Sequence, residues 1–145
     1  MIKGQDIVDK ARSMIGTPFH HQARKPGLDG GIDCVGLAVC IARELGIEVQ
    51  DRTDYARETD GEILRQSLEA HCDQVERMKV GDLVQFLRGR STWHVAIVSR
   101  LGAFPMMIHA RVRPDGGGEV REDDMDASWI RGLVGVWRYK DLKHG

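Results

Sequence analysis

The chain has 145 residues, 41% of them hydrophobic and 30% charged, with a formal net charge of -1. That balance suits one soluble domain spanning 1–145 with a core of its own, and it carries no polyelectrolyte signal for nucleic acid or an anionic membrane. No apolar run approaches the ~20 residues that a bilayer-spanning helix needs. Met1-Ile2-Lys3-Gly4-Gln5-Asp6 lacks the apolar stretch of a signal peptide, so synthesis in the cytoplasm is the expectation.

In chain order, Ile7, Val8, Ala11, Met14 and Ile15 recur at the spacing of one helical face and predict an amphipathic helix over 5–15. Gly16 suits its C-terminal stop, and Pro18 cannot continue it. Pro18, Pro26, Gly27, Gly30 and Gly31 mark 17–32 as a loop. A loop of that length inside a compact domain is more often functional than not. Asp33 suits the N-cap of a second helix. Its body, 35–45, is apolar nearly all round and reads as buried on most sides, with Gly46 ending it. Residues 47–60 are polar and irregular. A surface helix follows over 62–71, with Ile63, Leu64, Ser67, Leu68 and His71 in register.

From residue 74 the pattern turns to strands: a short one over 74–78, then 83–87, 93–99, 106–112, a return over 119–122 after the Pro114–Gly118 loop, and 133–139. Along 93–99, Trp93, Val95 and Ile97 alternate with His94, Ala96 and Val98. Helices first and strands after predict an α+β fold with an antiparallel sheet.

Cys34 falls in the first turn of the second helix. The unpaired amides and positive dipole end there favour a thiolate, which predicts a thiol pKa lowered into the range ~3.5–7.5 if a cation assists. Cys34, Cys40 and Cys72 are odd in number and lack C-x-x-C spacing, so all three read as reduced. His94 and His109 both lie within strands. If those strands are neighbours, the two side chains share a face, and a cysteine packed on that face would complete a line of nucleophile, base and orienting residue. Each has a plainer reading as well. A cysteine at a helix start is often a small core residue, and a strand histidine is often a half-buried polar one. His20 and His21 can be solvated loop residues, and Trp93, Trp129 and Trp137 core or rim. Cys34, His94 and His109 could also offer three zinc ligands, although the short ligand pair of most zinc sites is missing. No cofactor is expected.

Four segments together resemble the NlpC/P60 family of papain-like cysteine peptidases, most closely its phage-type members from phage tails and gene transfer agents. They are Gly16–Ala23, Asp33-Cys34-Val35-Gly36-Leu37, Val80–Phe86, and His94–Val98 followed by Ile108-His109-Ala110. The resemblance implies a papain-like fold with the nucleophile helix packed on an antiparallel sheet. It implies Cys34 as nucleophile, His94 as base and His109 as third member. The implied substrate is an amide in the peptide stem of peptidoglycan, often between D-γ-glutamyl and a diamino acid. The implied oxyanion donors are the Cys34 N–H and one further group.

Phe19 stands where the family usually has Tyr and cannot donate a hydrogen bond. Candidate substrate or oxyanion contacts are therefore Phe19, His20, His21, Gln22, Asp33 and Trp93. Expected partners are the stem peptide and proteins of a phage tail or baseplate, with no nucleic acid and no membrane span. The rival reading is a structural tail or baseplate component that keeps the fold with little or no hydrolase activity.

Overall fold

The computed structural model describes residues 2–49, 51, 61–89 and 92–140. Helix α1 (Gly4–Ser13) buries Ile7, Val8 and Ala11, as its periodicity predicts. Helix α2 (Cys34–Glu44) buries seven of its residues, from Cys34 to Ala42. Helix α3 (Gly61–His71) buries Leu64 and Leu68; Ile63 lies outside the described side chains, and 52–60 outside the described residues. The expected loop over 17–32 contains a two-stranded antiparallel ribbon, β1 (Arg24–Lys25) and β2 (Gly31–Ile32). Glycine and proline spacing hides strands this short.

The remaining strands are β3 (Cys72–Gln74), β4 (Leu83–Arg88), β5 (Thr92–Arg100), β6 (Met106–Val112), β7 (Gly118–Asp124) and β8 (Leu133–Tyr139). They form one antiparallel sheet in the order β3-β8-β4-β5-β6-β7, so the α+β expectation holds. The strand expected over 74–78 instead ends at Gln74. Its register follows the end of β8, pairing Cys72 with Tyr139 and Gln74 with Trp137, and only the Val75 amide reaches on to Val136 O. A short helix, α4 (Ala127–Ile130), was not expected from the sequence. Asp126 caps it through the Ser128 and Trp129 amides.

The sheet separates two cores. On one face α1, α2 and α3 pack over Leu83, Val95, Ile97, Ile108, Ala110, Val120, Trp137 and Tyr139. On the other, Val84, Phe86, Ala96, Val98, Met107, Met125 and Val136 form a second cluster under Trp129 and Leu133. This is the period-2 alternation of the sequence made physical.

Buried polar groups fasten the layers. Asp82, fully buried, accepts from Arg138 Nε and Nη2 at 2.6 and 2.7 Å and from the Lys79 amide at 2.7 Å. Tyr139 OH donates to Ala38 O at 2.8 Å, tying β8 to α2. Gly81 has φ +91° and lies against Gly4, where any Cβ would collide with backbone. The Gly-Asp pair that opens β4 therefore serves a close backbone approach and a buried ion pair at once.

Candidate active site

Helix α2 begins at Cys34 because Asp33 caps it. Asp33 Oδ1 accepts from the Gly36 amide at 2.7 Å, and the Asp33 carbonyl accepts from the Leu37 amide. The same carboxylate reaches outward: Oδ2 accepts from the Gln22 amide at 2.8 Å, and Oδ1 from Arg24 at 3.0 Å. Arg24 also pairs with Asp51 at 3.0 Å. Gln22 has φ 62°, a left-handed conformation uncommon for a residue with a side chain, and its bond to Asp33 holds it there. Gly36 is required at its position. A Cβ there would come within 2.5 Å of Ala23 O and 3.1 Å of Asp33 Oδ1. The Asp33-Cys34-Val35-Gly36 segment thus carries a cap, a thiol and a gap into which the 20–24 loop fits.

His94 and His109 are brought together as the strand assignments predict. His94 Nε2 lies 2.8 Å from His109 Nδ1. His109 is fully buried, and its Nε2 lies 2.8 Å from Asp123 Oδ2. The line runs across three adjacent strands, β5, β6 and β7. Asp123 escapes a reading of the sequence that ends the return strand at 122. The signal that could have found it is the hairpin register: His109 pairs with Arg121, and Asp123, two residues on, shares its face. Trp129 of α4 covers the line, its ring 5.3 Å from His94 and 5.5 Å from His109 between centroids. Arg88 lies over the indole at 3.8 Å.

The placement of the cysteine corrects one expectation. His94 and His109 point to the face of Phe86, Ala96 and Met107, opposite to the face on which α2 packs. Cys34 opens that helix, which packs against β5 and β6. The Val98 amide points toward β4, where it donates to Asp82 O; amide direction alternates along a strand, so the Val95 amide points toward β6. The paired register of β5 with β6 covers only Ile97–Arg100 against Met106–Ile108. At this seam the Val95 backbone lies near enough to Cys34 to favour its thiolate. Val95, the residue after His94, faces α2, so the helix that opens with Cys34 and the His94 ring lie on opposite faces of β5 at consecutive residues.

The electrostatics correct a second expectation. Burial pushes the Cys34 thiol up to about 12, and Asp33 adds to the rise; the Val95 and Val35 amides and Arg24 oppose it without prevailing. Desolvation outweighs the helix terminus, so the resting sulfur is a neutral thiol. Burial likewise holds His94 down at about 3, assisted by His109 and Arg88. His109 is also lowered by burial, against the pull of Asp123. Thiol and imidazoles are thus all uncharged at neutral pH. Cys40 and Cys72 are free as well, and burial raises both.

The other sequence candidates fall in three groups. Gln22 and Asp33 meet at the helix cap. Phe19 packs against the helix-side core, with its amide bonded to Gly118 O at 2.8 Å. Trp93 packs on that same face, away from His94. His20 is exposed, its Nδ1 lying 3.3 Å from His21 O in the loop. No group of three metal-ligating side chains occurs among the described residues. The facing nitrogens of His94 and His109 are engaged with each other, so those two nitrogens do not converge on a shared metal.

A thiol at the capped start of a helix, and a line of two histidines and a carboxylate across the sheet, are residue types that cysteine hydrolases use. The profile of the NlpC/P60 family matches residues 16–138, and the chain belongs to that family. Its members are typically cysteine peptidases that act on the bacterial cell wall. No individual curated protein matches the chain significantly.

Proposed function

We propose that the protein is a cysteine peptidase that hydrolyses an amide in the peptide stem of peptidoglycan, with the bond after D-γ-glutamyl as the preferred one. The reading is supported chiefly by the family match over residues 16–138, together with Cys34 at the capped start of α2 and the His94–His109 pair. His94 uses Nε2 toward His109, which leaves Nδ1 as the nitrogen to meet the thiol.

In the proposed reaction the substrate carbonyl approaches Sγ, and His94 Nδ1 takes the thiol proton as the S–C bond forms. The tetrahedral oxygen is held by the start of α2. Asp33 occupies the Gly36 and Leu37 amides, and the Cys34 N–H, beside the reacting sulfur, is the helix-start donor assigned to it. Collapse breaks the C–N bond, and the imidazolium protonates the leaving amine. Water then attacks the thioester while His94 takes its proton, giving a carboxylate and restoring the thiol. Neutral starting groups suit this order, because charge develops only as the bond forms.

The resemblance of four segments to phage-type members supports a further element of the proposal: action as part of a phage tail or phage-like particle. Mass spectrometry of muropeptides after digestion of purified peptidoglycan tests the bond. A new D-glutamyl carboxylate paired with a new diamino-acid amine is the expected product. Cleavage confined to the glycan strands, or no cleavage at all, would contradict the assignment.

A further inference from the structure

Beyond the three residues already in the proposed reaction, we propose that Asp123 is a positioning residue: through His109 it holds His94 in the tautomer whose Nδ1 is unprotonated and able to accept the thiol proton. This inference rests on the Cys34–His94 reading.

Each proton position along the line fixes the next. A carboxylate only accepts, so Asp123 Oδ2, at 2.8 Å, fixes a proton on His109 Nε2. A neutral imidazole has one donor and one acceptor nitrogen, so His109 Nδ1 must then be the acceptor. At 2.8 Å it requires a proton on His94 Nε2, and His94 Nδ1 is left with its lone pair. Without the carboxylate, His109 can carry its proton on Nδ1 instead. That tautomer turns the bond around, so that His94 Nε2 accepts and Nδ1 carries the proton. The base is then protonated on the nitrogen that must accept.

The surroundings fit this role. Asp123 also faces Arg121 at 3.4 Å and Arg111 at 3.8 Å. These cations oppose a second proton on the His109 ring. Trp129 covers both rings and excludes water that could offer His109 another partner.

Nitrogen-15 NMR of the histidine-labelled protein at neutral pH tests the proposal before any substitution. The wild-type spectrum should show His94 and His109 each protonated on Nε2 and bare on Nδ1. In Asp123→Ala, and in Asp123→Ser as a second variant, the His94 Nδ1 signal should shift toward the protonated type. Turnover of peptidoglycan should fall roughly 10–100-fold, the range for loss of a group that orients a working histidine, with KM little changed. A wild-type His94 protonated on Nδ1, or a variant spectrum identical to wild type, overturns the proposal. Failure of the peptidase reading itself appears separately, as wild-type protein that leaves peptidoglycan uncut whatever the spectrum shows.

Discussion

The neutral resting thiol is the feature on which structure and simple helix-terminus reasoning part most sharply, and it can be tested directly. The perturbation is a titration of Cys34 read as the ultraviolet thiolate absorbance of wild type minus Cys34→Ser. Burial raises this thiol from 9.0 to about 12. At pH 8 a group with that pKa is ionised in roughly one molecule in 10⁴. The difference absorbance should therefore stay flat through neutral pH and rise only in strongly alkaline solution. A preformed thiolate–imidazolium pair would behave differently, with the absorbance already present at pH 7 and disappearing only in acid. The same alternative predicts a loss of kcat/KM on the basic side as the imidazolium deprotonates near neutrality. The neutral pair predicts a plateau extending past pH 9, with the acid limb well below 6.5 because His94 is held down at about 3. A thiolate signal that is complete at pH 7 would refute the reasoning that desolvation outweighs the helix start.

Three other outcomes follow from the same groups. Because His94 titrates near 3 in the folded chain and near 6.5 when exposed, the unfolded state binds the extra proton between those values; stability should be full above pH 6.5 and fall as pH drops toward 3, a slope that urea midpoints should show reduced in His94→Gln. Asp33→Ala removes the cap acceptor for Gly36 and the acceptor for Gln22, and should lower stability by about 1–2 kcal/mol in urea denaturation while reducing turnover through the displaced 20–24 loop. Arg138→Ala strands the fully buried Asp82 carboxylate and should cost about 3–5 kcal/mol by the same assay, leaving the histidine line intact in the folded fraction.

Much of this molecule was legible in its residues, and the exceptions have physical reasons. The apolar periodicity of Ile7 to Met14 and the alternation of Trp93 to Val98 report burial directly, and burial is what builds α1 and the two faces of β5. Asp33, Gly16 and Gly46 announce helix boundaries by local chemistry. The pairing of His94 with His109 was legible because neighbouring strands set it by parity. The short ribbon of β1 and β2 was not, since two-residue strands have no period. Helix α4 rests on the Asp126 cap and on Trp129, which is a tertiary lid more than an amphipathic segment. Asp123 lies at the end of a strand whose register had to be known. The face of the sheet that α2 covers relative to His94 was not legible either, because strand parity separates two faces without saying which one a helix takes. The thiol's ionisation was misread because a sequence shows the helix start but not how deeply it is buried.

The most direct test of the central claim is the release of new amino groups from purified peptidoglycan by wild type and by Cys34→Ala at equal concentration. Steady release by wild type and none above background by the variant is the expected result, with the variant's thermal unfolding showing that it is folded. Equal release by the two proteins would contradict the assignment of Cys34 as the nucleophile.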